Sequence, residues 1–294
     1  MDRSLRDSPL ARALGALIAD FGARRGLRAG SFIVTLYGDL ARPRGGALWM
    51  GAIVEICAGV GISESLTRTA VSRLVEAGQL EGERIGRRSR YRLTARARAE
   101  FEAAARVLYG PDPAAEPVWT LVAMPAGEAR APAIEALSRR GFGHLGAGLA
   151  ARPGDLAFDL PAAAADGLVF RAEPVRDGPA LAAIAAAAWD LDGLSAEYRA
   201  FRARFAALEA ALDGAPDPAA ALCARLLLVH DFRRTALRDP QLPAAALPAD
   251  WAGHAARAAF RRLHARLSSA AEPRIAALLG EPLESGESIT KSGA

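Results

Sequence analysis

The chain has 294 residues, 51% of them hydrophobic, with 37 Lys+Arg against 33 Asp+Glu and two cysteines. At roughly 100–200 residues per domain this allows two or three domains with cores of their own. It excludes a chain disordered throughout, a collagen-like repeat and a disulfide-stapled miniprotein.

The opening MDRSLRDSPL is charged and lacks an apolar signal core, and no stretch approaches the ~20 uncharged apolar residues of a membrane span. A soluble cytoplasmic protein is expected. The net charge of +4 is unevenly spread: residues 1–110 hold 18 arginines against 11 carboxylates, and the remainder carries a slight acidic excess. Arginine abundance alone says little about nucleic acid here, because Lys291 is the single lysine of an Ala- and Arg-rich chain.

In chain order, Ser8-Pro9 has the form of an N-cap followed by proline, and Leu10, Leu14, Leu17, Ile18 and Phe21 repeat with helical period. A compact apolar segment, SFIVTLYGDL from Ser31, breaks at the loop 41–46, and a third segment runs from Leu48 to Cys57. Ser63 then offers an N-cap with Glu64 in the first turn. Leu66, Ala70, Val71, Leu74 and Val75 are assigned to the buried side of a helix that ends at Gly78. From Gln79 to Leu93 the period shortens, and two strands joined by Gly86-Arg87-Arg88-Ser89 predict a hairpin with an arginine tip. Thr94 starts a helix to about Tyr109, and Gly110-Pro111-Asp112-Pro113 marks a domain boundary.

Beyond it, strands are predicted at 118–124, 143–151 and 167–170, with a helix from about Arg130 to Arg140 presenting Ile134 and Leu137. From Trp189 onward the pattern is helical: Ser195 to Leu212, Asp217-Pro218 through Leu237, and Asp250 through Leu267. The polar tail 284–294 is expected to be disordered. An α+β, mainly helical chain follows, divided as 1–110, 111–188, 189–283 and the tail.

The strongest constellation is a helix, a glycine turn and a second helix with exposed polar side chains, followed by the arginine-tipped hairpin. Ser65, Thr67, Arg68, Ser72 and Arg73 are assigned to the exposed side of the second helix, where short polar and guanidinium groups reach base edges. The hairpin adds Arg84, Arg87, Arg88 and Arg90. Seven arginines lie between Arg84 and Arg98 with no carboxylate among them in sequence, a set suited to phosphates. A solvated arginine-rich face is the plain alternative, but cap, hairpin and arginine run occur together and in order, which is the pattern of a winged helix-turn-helix.

Other motifs carry less. Gly141, Gly143 and Gly146 satisfy GxGxxG, yet they leave a helix and enter a strand, the reverse of a dinucleotide turn. The four histidines show no metal-ligand spacing, so neither a metal nor a catalytic residue is assigned. Cys223 and His230 share a helical face but stand ~10 Å apart along its axis, too far for a thiolate–imidazole contact. In the acidic half, the helix end at His230, Arg233, Arg234 and Arg238, the turn Asp239-Pro240 and Trp251 admit two readings. One is a capped helix end packed on a core tryptophan. The other is a pocket in which the guanidiniums hold an anionic ligand beside His230 and Trp251.

Taken together, residues 30–39, Gly45-Gly-Ala-Leu-Trp49, Thr67-Arg-Thr-Ala-Val-Ser-Arg73, 83–89, Arg139-Gly-Phe-Gly143, Trp189-Asp-Leu191, Tyr198-xx-Phe201 and the segment from His230 to Trp251 resemble the PaaX family of transcriptional regulators. The resemblance covers about residues 28 to 267. It implies an N-terminal winged-helix DNA-binding domain, a central ferredoxin-like domain similar to small CRISPR-associated endoribonucleases, and a helical C-terminal domain. It further implies repression of phenylacetate catabolic operons, relieved by phenylacetyl-coenzyme A. A homodimer on double-stranded operator DNA is expected, with no cofactor. His230, Arg233, Arg234, Arg238 and Trp251 are the residues whose chemistry suits that polyanionic ligand. Two alternatives are a regulator of another acyl-CoA and a nuclease or acyl-CoA hydrolase with a DNA-binding appendage. Against cleavage, the first central strand ends Val122-Ala-Met-Pro125, without the carboxylate a metal would need.

Overall fold

Ser8 accepts a hydrogen bond from the Ala11 amide at 3.1 Å and opens α1, Pro9–Ala23, whose buried Leu10, Leu14, Leu17 and Phe21 form the apolar stripe the spacing predicts. The computed structural model describes residues 8–24, 26–111, 118–156, 160–173, 179–213 and 216–279; the tail predicted to be disordered and part of the boundary at 110–113 lie outside them. The protein is mainly helical, with two small antiparallel sheets. It divides into two compact units. The first takes the chain up to Arg106, Arg204–Asp231 and the chain from Ala259; the second takes Val107–Ala203 and Phe232–Ala258.

In the first unit the apolar segment from Ser31 becomes α2, Ala29–Leu36, continued by a π-helical turn, Tyr37–Ala41. The segment 48–57 splits into a short strand β1, Ala47–Trp49, and α3, Met50–Gly59. Then come α4, Glu64–Glu76, β2, Leu80–Ile85, β3, Arg88–Leu93, and α5, Ala95–Tyr109. The strands form a sheet of order β1-β3-β2, antiparallel throughout. Gly86, at φ +60°, closes the β2–β3 turn in a conformation that few other residues adopt cheaply.

A widened turn often marks a site where a side chain must be redirected, and the π turn holds Asp39. Its carboxylate is almost fully enclosed. Arg225 Nε lies 2.8 Å from Oδ2 and Arg225 Nη2 donates to Oδ1 at 3.1 Å, while His264 Nε2 approaches Oδ1 at 2.9 Å. Burial pushes the Asp39 carboxyl up, but the His264 hydrogen bond and the Arg225 charge together hold it down at about 2. One turn earlier, Thr35 Oγ1 is 2.9 Å from His230 Nδ1, and the His230 ring packs near Phe21 and Phe32 with centroids at 6.1 and 5.8 Å. Arg225 and His230 belong to α9, Pro218–Ala236, and His264 to α10, Gly253–Leu279. Asp217 Oδ2 accepts from the Ala220 amide at 2.8 Å and caps α9, as its Asp-Pro start predicts. Helix α10 was expected to stop near Leu267 but continues past Pro273, because Leu267, Ala271 and Ile275 carry its buried stripe onward at spacings of four.

In the second unit β4, Trp119–Ala123, lies between β6, Leu149–Pro153, and β7, Leu168–Ala172, with β5, Gly143–Gly146, at the far side of β6. The single strand expected over 143–151 is therefore a hairpin. Gly146, Ala147 and Gly148 all take positive φ, and the chain reverses there. Helix α6, Arg130–Ser138, packs on one sheet face through Ala133 and Leu137 together with Val122 and Phe142. The other face is closed by Trp119, Ala151, Trp189 and Leu242, where α7, Pro179–Ala188, and α8, Leu191–Ala211, begin the helical part.

Trp189 explains one glycine of the GxGxxG motif. Its indole donates to the Gly141 carbonyl at 3.0 Å, and a Cβ on Gly143 would stand 2.5 Å from the ring. Gly143→Ala should therefore destabilise the protein by about 1–3 kcal/mol, the usual cost of overpacking. Thermal unfolding measures it; an unchanged midpoint would show that Trp189 yields freely.

Candidate nucleic-acid interface

Helix α4 is capped by Ser63, whose Oγ accepts from the Leu66 amide at 3.4 Å, and Glu64 meets the positive end of the helix. Its solvent side carries Ser65, Arg68, Thr69, Ser72 and Arg73. Thr67, expected on that side, faces the opposite way: it is fully buried and its hydroxyl donates to the Ser63 carbonyl at 3.0 Å. Leu66, expected in the core, is 59% exposed. The two corrections share one cause. At about 100° per residue, Thr67, Ala70, Val71 and Leu74 centre a face on whose edge Leu66 falls. Thr67 also hydrogen-bonds the Cys57 thiol, which burial pushes up to about 11, so that side chain is occupied in packing.

Charge pairing thins the arginine set. Arg68 is held by Glu64 at 2.7 Å, Arg92 by Glu81 at 2.9 Å and Arg96 by Glu100 at 3.6 Å. The run that looks unopposed along the sequence meets a carboxylate across the strands, since the register sets Glu81 against Arg92; Glu83 stands opposite Arg90 without an ion pair. Arg73, Arg87, Arg90 and Arg98 make no ion pair among the described residues. Arg84 donates from Nε to the Gly86 carbonyl at 3.3 Å, within the turn.

Arg88 lies over the Trp49 ring at 4.4 Å from its centroid. That cation–π contact holds a long, flexible cation above the sheet at small entropic cost. Trp49 was not anticipated from the sequence as part of this surface. Its signal was position: β1 pairs with β3 so that Trp49 stands against Arg90. Tyr37 donates its hydroxyl to the Tyr91 carbonyl at 3.0 Å, fixing β3 to the π turn.

Of the residues assigned to a ligand pocket, His230 is withdrawn from solvent. His230 belongs to the first unit, is fully buried, and has both ring nitrogens engaged: Nδ1 with Thr35 and Nε2 donating to the Gly26 carbonyl at 3.3 Å. A carbonyl only accepts, so Nε2 carries the proton, and the ring is a core element instead of a surface contact. Arg233, Arg234, Arg238 and Trp251 belong to the second unit. Arg233 is half-buried, and burial pulls its guanidinium below the usual arginine range. Arg234 is exposed. Arg238 pairs with Glu197, which also accepts from Thr235 at 2.7 Å. Burial raises the Glu197 carboxyl, but those hydrogen bonds and the charges of Arg238 and Arg234 hold it below its ordinary value. Trp251 packs edge-on against Tyr198 at 5.8 Å, and the Tyr198 hydroxyl donates to Asp239 at 2.7 Å.

Among the described residues no group of three metal-capable side chains occurs, and no helix is long and apolar enough to cross a membrane.

Comparison with known proteins agrees with this layout of sequence. Residues 28–97 match the family described as PaaX-like protein, and residues 189–277 match the PaaX-like protein C-terminal domain. Transcriptional repressor PaaX from Escherichia coli (strain K12) is 35% identical over 255 residues, covering 82% of this chain and 81% of that one. Among solved structures, an uncharacterized protein, Rv0674 from Mycobacterium tuberculosis, matches with a TM-score of 0.49 and 27% identity, over 76% of this chain and 89% of that one. With two family matches in the expected order and a relative of this identity along most of its length, the chain belongs to the PaaX family.

Proposed function

We propose that this protein is a cytoplasmic, DNA-binding transcriptional repressor of phenylacetate catabolic genes, and that an aryl-CoA thioester, phenylacetyl-CoA, releases it from its operator. The observation that carries the DNA-binding part is one surface: the polar side of α4 beside a hairpin tipped by Arg87 and Arg88. The relative described as a transcriptional repressor supports the regulatory part. The order α2, β1, α3, α4, β2, β3 with sheet order β1-β3-β2 supports reading this part as a winged helix-turn-helix, in which α4 would enter the major groove and the β2–β3 hairpin would be the wing. The strand order β5-β6-β4-β7, with α6 after β4, suits a ferredoxin-like domain whose second helix is reduced to the short turn Ala162–Ala164. On this reading residues 1–110 form the DNA-reading domain, 111–188 the central domain and 189–283 the sensing domain, and a homodimer binds two half-sites separated by one or more ~10 bp turns.

Coenzyme A is polyanionic, and a thioester bound near Arg234 and Arg238 competes with Glu197 for their charge. Arg233 lies beside Arg234 on α9, and Trp251 offers an apolar surface to the acyl group. No catalytic role is assigned to any residue. Release follows only if the thioester binds the DNA-incompetent arrangement more tightly.

The test is titration of a labelled operator fragment at constant ionic strength, with a panel of aryl- and alkyl-CoA thioesters. Phenylacetyl-CoA should weaken binding at least tenfold. Release by a different thioester alone would reassign the effector, and binding that ignores both DNA sequence and every thioester would overturn the reading. In the same assay Arg68→Ala should lose preference for operator over random DNA by about 1–3 kcal/mol, the worth of one base-reading contact.

A further inference from the structure

The GxGxxG segment, unsuited to a dinucleotide, lies beside an open cleft of about 510 Å³ between α6 and the β5–β6 hairpin. Small-molecule sites fall at roughly 300–1,000 Å³. Ala131, Ile134 and Ala147 give the cleft apolar walls, while Arg130 and His144 bring nitrogen donors to its rim. The one carboxylate in the lining, Glu135, is held by Arg139 at 3.0 Å.

Arg130 is braced by backbone and makes no ion pair among the described residues. Its Nε donates to the Pro125 carbonyl at 3.1 Å. Gly148 passes so close that a Cβ there would stand 2.8 Å from Arg130 Nε and 2.8 Å from the Met124 carbonyl. That grip uses Nε alone. The two terminal nitrogens make no ion pair or hydrogen bond among the described residues. His144 is exposed, and its side chain likewise has no hydrogen-bond partner among them.

The hairpin is shaped to present these groups. Register shifts between His144 and Gly146, a bulge of the kind that re-aims a side chain, and Ala147 is one of two described non-glycine residues with positive φ. A fixed guanidinium with two unused donors, an imidazole beside it and an apolar floor suit one ligand chemistry: an anionic head on an apolar body.

We propose that this cleft binds a small organic anion, with its carboxylate or phosphate held by the terminal nitrogens of Arg130 and by His144, and its apolar part against Ala131, Ile134 and Ala147. The site is separate from Arg233, Arg234, Arg238 and Trp251. It is measured without DNA or thioester, so it stands or falls independently of the repressor reading.

Isothermal titration of the full chain with phenylacetate, phenyl phosphate and inorganic phosphate tests it. One organic probe should bind with a dissociation constant between about 10 µM and about 1 mM, a modest affinity matching one charged anchor in an open cleft. Arg130→Gln should weaken that binding at least tenfold and His144→Ala several-fold. Glu135→Gln, which removes the carboxylate facing the same space, should tighten it two- to fivefold and keeps the test decisive should the arginine variant unfold. Preference for phenylacetate identifies a carboxylate site, and preference for phenyl phosphate a phosphate site. Inorganic phosphate binding as tightly as phenyl phosphate would remove the apolar part of the proposal. No binding by any probe, or affinities unchanged in all three variants, would overturn it.

Discussion

Asp39→Asn should cost the protein about 3–5 kcal/mol, the range found when one member of a buried ion pair is removed. Asparagine nearly matches aspartate in shape, so the loss is electrostatic. Arg225, buried beside Asp39, hydrogen-bonded to it through Nη2 and ion-paired with it at Nε, keeps its charge and loses the group that balanced it. At about 2–4 °C per kcal/mol for a unit of this size, the melting temperature should fall by roughly 10 °C. The double replacement Asp39→Leu with Arg225→Met should recover much of the loss, because it removes the unmatched charge along with the pair. A D39N protein that melts with wild type would mean that water reaches Arg225.

The same pair makes stability depend on pH in a defined direction. The Asp39 carboxyl titrates at about 2 when folded, below its ordinary 3.8. A depressed folded value favours the folded state wherever the unfolded carboxyl is ionised. The contribution is therefore complete above about pH 4 and disappears as pH falls toward 2. At about 1.4 kcal/mol per pH unit it amounts to about 2–3 kcal/mol. Urea titrations from pH 6 to pH 2 should show a wild-type decline that is shallower in D39N.

Local chemistry made most elements readable in advance. Ser8, Ser63 and Asp217 cap helices as their side chains suggest, and the glycine-containing hairpin lies where the period changes. What local patterns could not supply was partnership across the chain. Asp39 and Arg225 are 186 residues apart, and nothing in either helix names the other. An aspartate in the apolar run SFIVTLYGDL and an arginine in CARLLLV each hint at a buried partner, because isolated charges are seldom buried unpaired. His230 shows the converse. Its neighbours Arg233 and Arg234 suggested a ligand pocket, but its packing partners are Phe21, Phe32 and Thr35, all from the first 36 residues. The strand expected at 143–151 became a hairpin because three consecutive positive φ values outweigh the apolar character of its flanks. On the arginine-rich hairpin, counting arginines along the run overstated the free charge, since strand pairing brings Glu81 to Arg92.

That accounting leads to the largest functional effect expected on the proposed DNA surface. Arg87→Ala, Arg88→Ala and Arg90→Ala combined should weaken operator binding about 100-fold near physiological salt. Each phosphate contact contributes about 0.9 to the slope of log affinity against log salt, so the slope should flatten by up to about 2.7. Arg87 and Arg90 have no competing ion pair among the described residues, so nothing intramolecular must be broken before they meet phosphate. Random DNA should lose affinity to the same extent, because phosphates carry no sequence information. Trp49→Leu separates position from charge: it removes the ring under Arg88 while keeping every arginine, so affinity should fall several-fold with the slope nearly intact. Fluorescence anisotropy from 50 to 300 mM salt measures both quantities. If the triple variant kept the wild-type slope, the hairpin would not contact the backbone, and the basic excess of the first 110 residues would need another explanation.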